Sequence, residues 1–156
     1  MILQIELVPR SCWFSNVRSC VPKETWDTIR KDCYRRAAYR CEICDENGHI
    51  QGYNHKVECH EIWTYDELTR IQKLERFICL CPLCHEVKHA GLTITKKGIE
   101  PILERLMKIN KWTHKQASYH TRRSFDLWAK HSKWHWHLDI SYLNTYIEIH
   151  KLKILS

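Results

Sequence analysis

The sequence predicts an α+β fold built round a metal-stapled core. Two cysteine pairs point to it, Cys41/Cys44 and Cys81/Cys84, each of the form CxxC and separated by 36 residues. A second pointer is that the apolar pattern switches along the chain between period two and period 3.6, so strands and helices are both expected. The third is size. A chain of 156 residues that is 44% hydrophobic fits one domain with a modest core, and a bound metal adds folding free energy to such a core.

Taken in order, Met1–Val8 places Leu3, Ile5 and Leu7 on one face and reads as a short strand. Pro22 suits a first helical position, and Glu24 and Asp27 lie near that positive end. Trp26, Ile29, Cys33 and Ala37 follow at helical spacing, which predicts a helix over Pro22–Ala38. Asp45–Gly52 is a polar turn, Val57–Trp63 a strand and Thr64–Thr69 a loop. Arg70–Leu80 is expected to be extended, ending in the apolar run Phe77–Leu80. Pro82–His89 reads as a short helix closed by Gly91. A second helix covers Ile99–Asn110 with Ile102, Leu106 and Ile109 inward. Thr113 and Gln116 form a capping box for a third, which carries Ala117, Phe125 and Trp128. Trp134, Trp136, Leu138, Ile140 and Tyr142 then alternate as a C-terminal strand. The chain thus divides into an N-terminal strand and helix extension (1–40), a core (41–91) and a C-terminal helical and strand extension (92–156). It has no internal repeat, low-complexity tract or Gly/Ser linker.

Several classes are set aside. No apolar run approaches 18 residues, so no membrane span is expected. Gln4 and Glu6 interrupt Met1–Val8, which lacks a basic n-region and a small-residue cleavage site, so a secretory signal is not expected. A reducing, cytoplasmic setting follows as the expectation, with the nine cysteines as thiols. The net charge of +7 is uneven: +4 over residues 1–40, −3 over 41–100 and +6 over 101–156. Basic flanks round an acidic, Cys/His-rich centre suit a metal site held against a polyanion. A solvated basic surface is an equal reading of the charge alone.

The cysteine spacing carries the most chemistry. Two residues between cysteines let a tight turn aim both sulfurs at one ion. Two such knuckles complete a tetrahedral zinc site from Cys41, Cys44, Cys81 and Cys84. One CxxC alone could be a redox motif, but two in a chain without the strand and helix pattern of a redox fold point to structural zinc. His85 and His89 stand at i and i+4, on one face of the expected helix. Cys84 is next to His85 and points about 100° away round the helix, so the cysteines and histidines are expected to serve separate metals. His60, between Glu58-Cys59 and Glu61 on the expected strand, is the third candidate imidazole. His114, His120, His131, His135, His137 and His150 read as a polar face without assigned chemistry.

Three stretches carry a family resemblance. Cys41-x-x-Cys44, Val57-Glu-Cys-His-Glu-Ile-Trp63 and Leu80-Cys-Pro-Leu-Cys-His-Glu-Val-Lys-His89 together resemble the HNH endonucleases with a zinc-bound ββα-metal fold, over about residues 41–91. Ser15-Asn-Val-Arg-Ser19, Trp26-Asp27 and Trp134-x-Trp-x-Leu-Asp139 are similar to one branch of small bacterial stand-alone members. The resemblance implies a strand bearing a histidine base, a second strand, and a helix whose histidine or asparagine ligands hold one divalent ion. Two departures stand out. Cys59 occupies the place before the base where the family carries an acid or histidine, and Arg76 falls where its asparagine is expected. Two registers are open. Either His60 is the base and Cys59 holds the ligand position, or His60 joins His85 and His89 as ligands and Glu61 holds the base position.

The implied activity is metal-dependent hydrolysis of DNA phosphodiesters. It needs an activated water, for which a near-neutral imidazole is a good base, and charge stabilisation at phosphorus, which one divalent ion supplies. Imidazole ligands admit Mg2+, Mn2+, Ni2+ or Zn2+. Lys88 and the basic flanks are expected to contact phosphates without reading sequence. The competing readings are a non-catalytic, zinc-stabilised nucleic-acid-binding module, and a nuclease subunit with protein partners in a defence or phage complex.

Overall fold

A hairpin of two long strands, β1 (Glu58–Asp66) and β2 (Ile71–Leu80), forms the centre. The computed structural model describes the backbone of residues 1–150 and the side chains of residues 1–146. The expected loop Thr64–Thr69 is shorter than the sequence suggested. Asp66 Oδ1 accepts the N–H groups of Leu68 and Thr69 at 2.8 and 3.2 Å. That side-chain turn closes the hairpin tightly, so β1 pairs through Tyr65↔Gln72 and Asp66↔Ile71.

Antiparallel pairing sets the faces. Cys59 lies opposite Cys79, His60 opposite Ile78 and Glu61 opposite Phe77. Alternation puts His60, Ile62, Ile78 and Leu80 on one face and Cys59, Phe77 and Cys79 on the other. The register shifts after Ile62, where Glu75 is the extra residue, and this brings Leu74 onto the second face beside Trp63. Both faces are covered, which explains why Phe77–Leu80 is a continuous apolar run rather than an alternating one. The second face packs on α1 (Val17–Cys20), α2 (Lys23–Arg36) and α7 (Leu143–His150) through Val17, Ile29, Cys33 and Leu143. The first packs on Leu3 and Ile5, on α3 (Pro82–Lys88), α4 (Ala90–Lys97) and α5 (Glu100–Asn110), and on Ala117 of α6 (His114–His131). Ile102, Leu103 and Leu106 of α5 are buried there, and the Thr113/Gln116 capping box opens α6 as expected. That core draws on all three stretches of the chain.

Three other expectations change. Met1–Val8 is extended and buries Leu3 and Ile5, but it joins no sheet. Its backbone is satisfied by side chains instead: Leu3 N–H donates to Asn110 Oδ1, Asn110 Nδ2 donates back to Leu3 O, and Ile5 N–H donates to His120 Nε2, at 2.8, 2.8 and 3.0 Å. Gly91 does not end α3. The chain bends at His89 (φ −97°, ψ 38°) and enters α4 directly, so Gly91 is helical and the stop is Gly98 at φ 83°. The expected strand over Trp134–Tyr142 shrinks to β3 (His137–Asp139), parallel to Ile71–Lys73, because Trp134 and Trp136 turn onto His131.

Candidate metal centres and the cleft beside them

The first knuckle is a turn that only unusual backbone makes. Asp45 N–H donates to Cys41 O and Cys41 N–H to Glu46 O, at 2.8 and 2.9 Å, with Asp45 at φ 64°. The second knuckle is the junction of β2 and α3, where Cys81 is the helix N-cap, Pro82 follows and Cys84 lies in the first turn. Free N–H groups at a helix start favour thiolate over thiol. Gly48 ties the knuckle to the hairpin: its N–H donates to Lys56 O at 2.6 Å, and a Cβ there would meet the His55 carbonyl oxygen at 2.0 Å.

The four sulfurs lie within 4.8 Å of one another. Sulfurs held at about 2.3 Å from one tetrahedral zinc stand about 3.8 Å apart. Cys44 Sγ is 3.6 Å from Cys81 Sγ and 3.8 Å from Cys84 Sγ, so the set is compatible with structural zinc as it stands. Arg105, 5% exposed, caps three of them. Its Nη2 donates to Cys44, Cys84 and Cys81 at 3.0, 3.2 and 3.4 Å, and to Glu46 at 3.2 Å. With zinc bound, that guanidinium would offset the excess negative charge of four thiolates. The sequence carries a signal for it, an arginine on the buried stripe of α5 between Ile102 and Leu106.

The second group is His60, His85 and His89, whose ligand atoms also fall within 4.8 Å of one another. His60 comes from β1 and is 7% exposed, His85 lies on α3, and His89 is the exposed member at the bend. His85 Nε2 and His89 Nε2 are 3.1 Å apart. Two nitrogens about 2.0–2.1 Å from one ion at a tetrahedral angle stand about 3.4 Å apart, so the pair fits a shared ion. Glu58 accepts from His85 Nδ1 at 2.8 Å and from His55 Nε2 at 3.0 Å. A carboxylate only accepts, so His85 carries its proton on Nδ1 and offers the Nε2 lone pair inward. The His85 bond is the main reason the Glu58 carboxyl falls to about 2. Burial lowers His60, against the pull of Glu6. His89 has an open edge, yet the side chains crowded round its ring, then His85 and His60, hold it down to about 3. The neutral imidazole is the form that ligates a metal, and the lowering at His60 and His89 favours it.

The remaining candidates lie outside the three-imidazole group. Cys59 is on the far face, where its thiol contacts Cys33. Glu61 accepts from Val17 N–H at 2.8 Å and from Trp63 Nε1 at 3.2 Å, and burial raises its carboxyl despite those bonds. Lys88 is not a free phosphate contact: it is 3% exposed and paired with Glu6. Neither His120 nor His131 belongs to a polar face. His120 accepts Ile5 N–H, while His131 is buried among Tyr65, Trp134 and Trp136 and bonded to Glu67 at 2.9 Å. The side chain of His150 lies outside the described residues.

Sequence reasoning missed Glu6. Its Oε2 lies 3.6 Å from His60 Nε2, and Lys88 holds its other oxygen. Burial raises the Glu6 carboxyl, but His60 and Lys88 outweigh that and leave it below its ordinary value. Its only signal was a lone acid inside an apolar stretch. Glu6, His60, Glu61, His85 and His89 share the wall of a cleft of about 480 Å3, with Arg18 at its rim. Among the described residues no helix is long and apolar enough to cross a membrane. No model of a known family, no curated protein and no solved structure matches this chain.

Proposed function

We propose that this chain is an HNH-type, metal-dependent endonuclease that hydrolyses DNA phosphodiester bonds. The observation that carries the reading is the convergence of His60, from the first strand of a hairpin, with His85 and His89, from the helix that follows its second strand. Strand, strand and helix in that order, with thiols on the same helix turned to a separate centre, agree with a zinc-stapled ββα-metal arrangement. The cleft gives a phosphodiester access to all three imidazoles.

Geometry favours the register in which His60 is a ligand, since the candidate ion-holding group contains His60 and not Cys59. His60, His85 and His89 would hold one divalent ion, which when bound supplies positive charge at phosphorus and at the leaving oxygen. Glu58 orients His85 through Nδ1. Glu6 lies beside His60 and is itself fixed by Lys88. Glu61 holds the base position on the cleft wall. Arg18, exposed at the rim, is placed to meet a phosphate oxygen.

The test is cleavage of supercoiled plasmid in Mg2+, Mn2+, Ni2+ or Zn2+ by the wild type, Glu61→Gln and His60→Ala. With Glu61 as base, Glu61→Gln lowers the rate by about 10²–10⁴, and added metal partly restores His60→Ala. With His60 as base, Glu61→Gln falls only about tenfold and His60→Ala is not rescued. A wild type that binds DNA but cuts in none of the four metals removes the nuclease reading and leaves the non-catalytic zinc module.

A further inference from the structure

Continuous with the histidine cleft is a second hollow of about 630 Å3, within the range of roughly 300–1,000 Å3 that holds small molecules or parts of larger ones. Their common wall includes Glu6, Val8, Glu61, Trp63, His89 and Trp128. What the hollow adds is aromatic surface, from Trp13 and Phe125. Every indole N–H in it is already satisfied within the protein. Trp13 Nε1 and Trp128 Nε1 both donate to the Val8 carbonyl, at 3.0 and 3.1 Å, and Trp63 Nε1 donates to Glu61 at 3.2 Å. Those bonds fix the rings and use up the indole donors, so the rings themselves offer a ligand their faces, beside the polar groups of Ser15, Asn16 and Thr95 on the same wall. Trp13 is 56% exposed although it is anchored, an arrangement that leaves a large apolar surface in water. The Arg10 guanidinium lies 4.8 Å over the Trp128 ring and adds positive charge to the group.

Fixed rings with satisfied donors suit a flat ligand with a π-face. Bases within a duplex have both faces stacked on neighbours; unpaired bases do not. Rings that need no reordering also lose little entropy on binding. We propose that this hollow stacks an unpaired nucleobase of the strand whose phosphodiester lies at His60, His85 and His89. The substrate class is then single-stranded or locally unpaired nucleic acid, taken with little sequence preference. The position of the phosphate rests on the nuclease reading; the stacking does not.

The test uses the full chain as purified, without added divalent ion, at one fixed salt concentration. The probes are a fluorescein-labelled thymidine 12-mer and the matching 12-base-pair duplex. The single strand is expected to bind at least about tenfold more tightly, and Trp13→Ala to weaken it by about 5- to 100-fold. Trp13→Phe restores most of that affinity, and neither variant changes zinc content. A strand carrying 2-aminopurine supplies a readout that needs no variant, because stacking on the wild-type rings quenches its fluorescence. Equal or tighter duplex binding, unquenched 2-aminopurine, or a zinc-loaded Trp13→Ala protein that binds like wild type overturns the proposal. Plasmid cutting with no preference for unpaired strands also overturns it and leaves the nuclease reading in place. Tight single-strand binding without cleavage in any metal removes the nuclease reading and leaves the stacking site.

Discussion

Replacing Arg105 with methionine keeps most of the side chain's bulk and removes its charge and all its donors. In the wild type one nitrogen serves three sulfurs and Glu46 at 3.0–3.4 Å. A hydrogen bond to a charged group contributes about 1.5–3 kcal/mol, but one nitrogen divided among three sulfurs does not contribute three times over. Loss of an outer partner of a metal ligand lowers metal affinity about 10–100-fold, which is about 1.4–2.7 kcal/mol. Glu46 is not orphaned, because Gln51 and Lys108 still reach it at 2.8 and 3.3 Å. The two routes overlap at a loss of about 1.5–2.7 kcal/mol, or a fall of about 3–11 °C in the unfolding midpoint for a chain of this size. Calorimetry on zinc-loaded protein reads the midpoint, and a chromogenic chelator reads zinc release. Arg105→Lys, which keeps the charge but not the fork, falls between. A midpoint that moves less than about 1 °C, with unchanged zinc release, refutes the idea that this guanidinium supports the thiolates.

The remaining predictions concern the staple, a turn and the substrate. Cys44→Ser should lose its zinc, measured by elemental analysis, together with cooperative unfolding; retention of one zinc per chain would contradict the four-sulfur site. Gly48→Ala places a Cβ against the His55 carbonyl and should lose about 1–3 kcal/mol in urea titration. Nucleic-acid affinity should fall linearly on a log–log plot between about 50 and 200 mM salt. A flat response would assign the basic flanks to a protein partner instead.

What the sequence revealed depended on how local each signal was. Each CxxC is closed by one turn, so Cys41, Cys44, Cys81 and Cys84 could be assigned by spacing alone. His85 and His89 are four residues apart on a helix and were equally plain. His60 could be named but not given a role, because its face depends on pairing with Ile78 and on Cys59 turning to Cys33. Glu6 was out of reach. It meets His60 and Lys88 only after residues 1–8 lie across α5 and α6, held by Asn110 and His120 rather than by a strand. The same property misled the reading of Met1–Val8, since alternation reports a buried face and does not say what satisfies the backbone. Gly91 misled for a related reason: glycine permits a helix stop, but a Cβ there would meet only Leu7, at an ordinary 3.7 Å, and the helix runs on to its C-cap at Gly98.

On the proposed reading, two metal centres share one helix and act independently, the thiols holding the fold and the imidazoles serving the reaction. His85→Ala separates them, because His85 directly follows Cys84 yet belongs to the other group. Plasmid cleavage over a Mn2+ titration, with bound zinc measured in the same samples, is the direct test. The variant is expected to keep one zinc per chain and to lose at least about 100-fold in rate at low Mn2+, with partial recovery at high Mn2+. A variant that cleaves like the wild type at every Mn2+ concentration, or one that loses its zinc together with its activity, would contradict that reading.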